Sequence, residues 1–157
     1  MKTLEELAAY LEKEIITSLE SQDHVATGKL RDSIKVNVEK VVSGYAIVGQ
    51  YLHYGRYVDT GRKARVKRVP VDALIAWIRA KKIDLRGRRE RDVAFAIQHA
   101  IWKKGIPTDG DPGKLKFLRR VLDGNEKVIQ TTIQAFFSNV IAVRIKQSIT
   151  NAQRIAA

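Results

Sequence analysis

The chain has 157 residues, is 45% apolar, and carries 29 Lys+Arg against 17 Asp+Glu, a formal net charge of +12. That length fits one domain, or one domain with an extension, and suffices to bury a core. The absence of cysteine excludes disulfides and thiolate metal sites, while the clustered positive charge points to an acidic partner: nucleic acid, an anionic surface or acidic faces of protein subunits.

Residues 3–21 are predicted to be helical. Leu4, Leu7, Ala8, Leu11, Ile15 and Leu19 recur at three- and four-residue steps and share one face. Thr3 with Glu6 fits a capping box. Glu5, Glu6, Glu12 and Glu14 stand where the apolar core of a signal peptide would have to be, so no such leader is expected. A break follows, and Thr27–Ser33 reads as a turn or a single helical turn. Ile34, Val36 and Val38 then alternate with Lys35, Asn37 and Glu39, the period of a half-buried strand. Ser43-Gly44 marks a turn, and residues 45–50 alternate again, giving an antiparallel hairpin.

Tyr51, His53, Tyr54, Gly55, Tyr57 and Gly61 read as an aromatic and glycine-rich loop. It runs into the densest basic stretch, with Arg62, Lys63, Arg65, Lys67 and Arg68 following Arg56. Val66–Pro70 fits a short third edge strand ahead of Pro70. Leu74, Ile75, Trp77 and Ile78 mark a helix to about Lys82. A second basic loop carries Arg86, Arg88, Arg89 and Arg91. From Asp92, the residues Val93, Ala94, Ile97, Ala100 and Ile101 mark another helix, ended by Lys103, Lys104 and Gly105. Residues 106–113 form a loop, and Leu115, Phe117, Leu118, Val121 and Leu122 a short apolar helix.

The last helix runs from Glu126 to about Ala152 and is apolar over much of its circumference. Such a helix is buried on more than one side, either against another subunit or as the central helix of a monomer. Its longest uncharged stretch, Val128–Val143, reads as too short and too polar to span a bilayer. The order of elements gives an α+β fold. A small antiparallel sheet, a hairpin plus a third strand, is packed by the N-terminal helix and several C-terminal helices. Residues 1–122 form the α+β domain and 123–157 a docking or oligomerisation extension.

Catalytic constellations are weak. Asp59-Thr60-Gly61 matches the triplet of aspartic proteases, in which two carboxylates share a proton. Arg62 and Lys63 follow it, however, where those enzymes have a small residue, so a turn aspartate is the simpler reading. His24, His53 and His99 lack metal-ligand spacing. Gly55, Gly61 and Gly87 match no phosphate-binding loop. No enzyme activity, cofactor, metal, small-molecule substrate or membrane contact is expected. The two basic runs are the positive signal: their side chains suit phosphate contacts or ion pairs across a subunit interface, with Tyr51, Tyr54 and Tyr57 nearby to pack or to stack on bases.

Three stretches taken together resemble the neck or tail-completion (head–tail joining) proteins of long-tailed phages of lambdoid type. They are Thr27-Gly28-Lys29-Leu30-Arg31-Asp32-Ser33-Ile34, the strand pair, and Tyr54-Gly55-Arg56-Tyr57-Val58-Asp59-Thr60-Gly61. The motif positions are Thr27, Gly28, Leu30, Ser33, Tyr54, Tyr57, Val58, Asp59 and Gly61. Ala73–Lys82, Ala94–Trp102 and Gly105-Ile106 extend the likeness over most of residues 1–122. The chain departs from the family pattern where a Gly/Asp-rich insertion separates Pro107 from Phe117-Leu118. The resemblance implies a non-enzymatic virion component, assembled in the host cytoplasm. It would form a homo-oligomeric ring, commonly a hexamer, between head–tail adaptor and tail-tube proteins, with genomic DNA passing through the lumen. The basic loops would then face that DNA or, preferably, an adjoining ring, because dense lumenal cations would make DNA stick.

Overall fold

A computed structural model describes residues 3–22, 26–42, 44–106 and 116–156. Among them are seven helices and one two-stranded sheet: α1 (Leu4–Ser21), α2 (Lys29–Ser33), β1 (Lys35–Val41), β2 (Gly44–Gln50), α3 (Gly55–Thr60), α4 (Val71–Ala80), α5 (Glu90–Lys104), α6 (Phe117–Gly124) and α7 (Glu126–Ala156). The fold is α+β, as the order of periodic segments predicts.

The helix α1 forms as its sequence directs. The Thr3 hydroxyl accepts the Glu6 N–H at 3.1 Å, and the six apolar residues of its stripe are all buried. That stripe is the spine of the main core. Leu30 of α2, Ile34, Val36 of β1, and Phe117 and Val121 of α6 pack on it, flanked by Val128, Ile129 and Ile133 of α7. Two polar clasps fix α1 to the C-terminal helices. Tyr10 donates to Asn125 Oδ1 at 2.7 Å, and Ser18 donates to the Phe117 carbonyl at 3.1 Å.

In the hairpin, Val36 pairs with Gly49, Val38 with Ile47 and Lys40 with Tyr45. These pairs share one face. Tyr45 meets the Phe136 ring edge-on at 5.4 Å between centroids, which seats α7 on the sheet. The expected third strand is not formed. Val66–Pro70 is held instead by α5, where the buried Gln98 donates to the Val69 carbonyl at 2.6 Å. The additional pairing is an isolated bridge, Arg62 with Ile106. The aromatic loop also differs from expectation, since its second half winds into α3.

A second, smaller core lies between α4 and α5, built on Leu74, Ile78 and Ala94 with Val69, Ile83 and Leu85 packed around it. Trp77, one of the four apolar residues that mark this helix in the sequence, stays 38% exposed. Ser43, His24, Leu115 and the predicted 107–113 loop lie outside the described residues.

α7 explains its all-round apolar character by carrying two faces. Val128, Ile129, Ile133 and Phe136 turn toward the domain. Phe137, Ile141, Ile145 and Ile149, at four-residue steps, lie roughly on the opposite side by helical geometry. Those four are 43–56% exposed, and every residue from Ile141 to Asn151 is exposed. By length and composition Glu126–Asn151 is long and apolar enough to cross a membrane, with a mean hydropathy of 1.3 and 6% of that window buried. This corrects the expectation drawn on the shorter run Val128–Val143, which left out Ile145 and Ile149.

Candidate functional site: the motif junction and two basic ends

The two motif elements meet at the open end of the hairpin. Ser33 ties them together: its hydroxyl donates to the Leu30 carbonyl at 2.7 Å and accepts the Leu52 N–H at 3.1 Å. The backbone of Gly55 sits against Leu30 and Tyr51. A Cβ at this position would lie 2.7 Å from a carbon of each, so only glycine fits. Gly28 precedes α2 as its N-cap residue. Thr27 and Gly28 therefore enter a one-turn helix whose Leu30 is the buried anchor. Partly buried Val58 packs on the main core.

Asp59 is buried, and its Oδ1 accepts the Leu118 N–H at 2.9 Å while its carbonyl accepts the Lys116 N–H at 2.7 Å. The carboxylate thus sits at the start of α6, where exposed N–H groups and the helix dipole favour an anion. This is a capping role that joins the second motif to the helix carrying Phe117. Thr60 donates to the Arg56 carbonyl at 2.9 Å, within α3. Tyr57 lies under the Arg62 guanidinium at 5.0 Å and beside the His53 ring at 5.9 Å. Tyr54 is 43% exposed, and partial burial raises its phenol above the ordinary value.

The structure sends the two basic runs to opposite ends of α5, about 21 Å apart by helix rise. At the C-terminal end, Arg62 N–H donates to the Ile106 carbonyl at 3.0 Å and receives the reciprocal bond at 2.8 Å; Arg65 N–H donates to the Trp102 carbonyl at 2.6 Å. Gly105 makes this possible. Its φ is +76°, and a Cβ there would collide with the Arg62 carbonyl oxygen. Arg68 stacks over Trp102 at 5.1 Å. Lys103 and Lys104 add to this end, and no carboxylate pairs with Arg62, Lys63, Arg65, Lys67 or Arg68 among the described residues.

At the other end, Arg86, Arg88, Arg89 and Arg91 crowd the N-terminus of α5, where the helix dipole disfavours cations. Glu90 and Asp92 in the first turn offset them. Glu90 is gripped by Arg79 through bonds of 2.6 and 3.0 Å, which holds its carboxyl below the usual glutamate value and raises that of Arg79. Arg91 lies over Phe95 at 5.7 Å. Arg56 is exposed on α3.

Among the described residues, no group of three His, Cys, Asp or Glu could hold a metal ion. Sequence reasoning missed that Gln98 pins the basic segment. A polar residue four positions after Ala94 on the buried face is the signal that marks it. Comparison with family models, curated proteins and solved structures finds no match to this chain.

Proposed function

We propose that this chain is a structural subunit of a tailed-phage neck, a tail-completion protein that assembles into a ring joining connector to tail tube around the DNA channel. The observation that carries the reading is the junction of the two motifs. Gly55 of the second motif sits against Leu30 of the first, Ser33 holds the Leu52 N–H just ahead of the second motif, and Asp59 ties that motif to α6, structural roles that need no catalytic chemistry. The unpaired cations at the C-terminal end of α5 supply a docking surface for an acidic neighbour, with salt-sensitive attachment. The same cations favour a second reading, a module that grips nucleic-acid phosphates.

Negative-stain imaging and light scattering over a concentration series test the first reading, alone and with connector particles. Annular particles of uniform mass are expected. A chain that stays monomeric in both settings, yet binds duplex DNA with an affinity falling steeply in salt, overturns the ring and selects the second reading.

A further inference from the structure

Among the described residues, two features remain without a partner. One is the distal half of α7. A solvated helix of this length is marginal alone, and Ile141, Val143, Ile145, Ile149 and Thr150 are β-branched residues that weaken helices further. Its exposed apolar stripe is a surface open to a partner. Its stripe of Phe137, Ile141, Ile145 and Ile149 extends about 18 Å by helix rise. Arg144 and Lys146 flank that stripe on either side, and no Asp or Glu follows Glu126 in the sequence.

The other is an open groove of about 740 Å³ between α1 and β1. Its floor is apolar, with Ala8, Ala9, Ile16, Val36 and Val38; Glu5, Glu12 and Glu20 line it against a single lysine, Lys13. From Glu5 to Glu20 it runs about 22 Å along α1 by the same rise. Glu12 is engaged by Lys35 at 3.3 Å and Glu20 by Arg31 at 3.5 Å, while Glu5 has no ion pair among the described residues.

We infer that the distal half of α7 of one copy lies in the α1–β1 groove of the next copy. Length and apolar surface match along the groove, and charge sign matches at Glu5, the rim carboxylate without an ion pair among the described residues: a cationic arm with an apolar stripe meets a groove with an apolar floor. The contact is heterologous, arm to groove rather than like to like, so each copy offers one arm and one groove. Repeating it generates a ring or an open chain according to the rotation per copy. The inference deepens the ring reading and rests on it for closure only.

The chain has no cysteine, so two introduced thiols report the contact alone. Ala9 is exposed in the groove and Ile145 lies in the stripe. An Ala9→Cys/Ile145→Cys variant, oxidised across a concentration range, is expected to give a ladder of covalent dimers, trimers and higher species. Each single-cysteine variant should crosslink roughly tenfold less, because only the arm-in-groove contact raises the effective thiol concentration. Absence of the ladder overturns the inference, whether or not wild type associates. So does Ile145→Cys alone crosslinking as fast as the double variant, which would mean arm on arm. Transfer of the double variant, still reduced, onto phosphatidylglycerol vesicles in a manner that truncation after Val140 abolishes also overturns it. Light scattering on wild type separates the two ideas. Rings without the ladder leave the ring reading standing and remove this contact; a ladder of open chains does the reverse.

Discussion

Asp59 gives the sharpest test of whether the second motif is architectural. Its carboxylate accepts the Leu118 N–H at 2.9 Å in a buried setting, at the start of the helix that carries the fully buried Phe117. Asp59→Ala removes a charge-assisted acceptor and leaves that N–H buried without a partner. Caps contribute about 0.5–2 kcal/mol and bonds to charged groups about 1.5–3 kcal/mol, so a loss of about 2–3 kcal/mol is expected. For a chain of this size that lowers Tm by roughly 4–12 °C. Asp59→Asn keeps an acceptor oxygen but loses the favourable charge at the helix start, so its loss should be about 1 kcal/mol. Chemical denaturation of the three proteins at equal concentration measures both differences. An Asp59→Ala variant within about 0.5 kcal/mol of wild type refutes the capping role and reopens the reading of Asp59-Thr60-Gly61 as reactive.

Gly105→Ala should cost about 2 kcal/mol or more, through a positive φ and collision with the Arg62 carbonyl, and should raise amide exchange at Arg62 and Arg65. Phe117→Ala should cost about 3–5 kcal/mol in urea unfolding, since its side chain is fully enclosed in the main core. Truncation after Val140 should leave Tm within about 2 °C, because residues 141–151, the part removed whose side chains are described, are all exposed, while abolishing self-association by light scattering. Because the Arg79 hydrogen bond holds Glu90 below its ordinary value, this pair stabilises the fold above the ordinary glutamate range. That contribution fades as pH falls through the lower folded value. Thermal melts from neutral into acid should therefore show wild type and Glu90→Gln converging; a constant gap would refute the assignment.

Elements whose residues answer to a single neighbour were legible in the sequence. α1 shows this best: one stripe, one cap, and burial that follows both. The hairpin register likewise follows the alternation through Val36 and Val38. Legibility failed where two partners competed for the same residues. Val66–Pro70 has strand character, but Gln98 captures the Val69 carbonyl and the segment follows α5 instead. The 51–61 stretch is rich in turn-formers, yet Gly55 permits a close approach to Leu30 and Tyr51 that lets α3 wind. The basic runs flank α4 in sequence, but the α4–α5 pairing sends them to opposite ends of α5. That separation depends on tertiary packing that local periodicity does not encode. α7 reads as apolar all round because one linear pattern overlays two faces.

The division into two cores has a consequence for how the protein comes apart. The cluster of Leu74, Ile78 and Ala94 shares no buried residue with the cluster built on α1. Among the described residues, the α4–α5 hairpin is fastened to the rest largely at the Arg62–Ile106 bridge and the Arg65–Trp102 bond. Such a hairpin is a separate cooperative unit, able to open while the α1 core stays closed. Its amides should exchange together at a lower free energy than those of α1, and that gap sets how far the basic ends can reorient without unfolding the subunit.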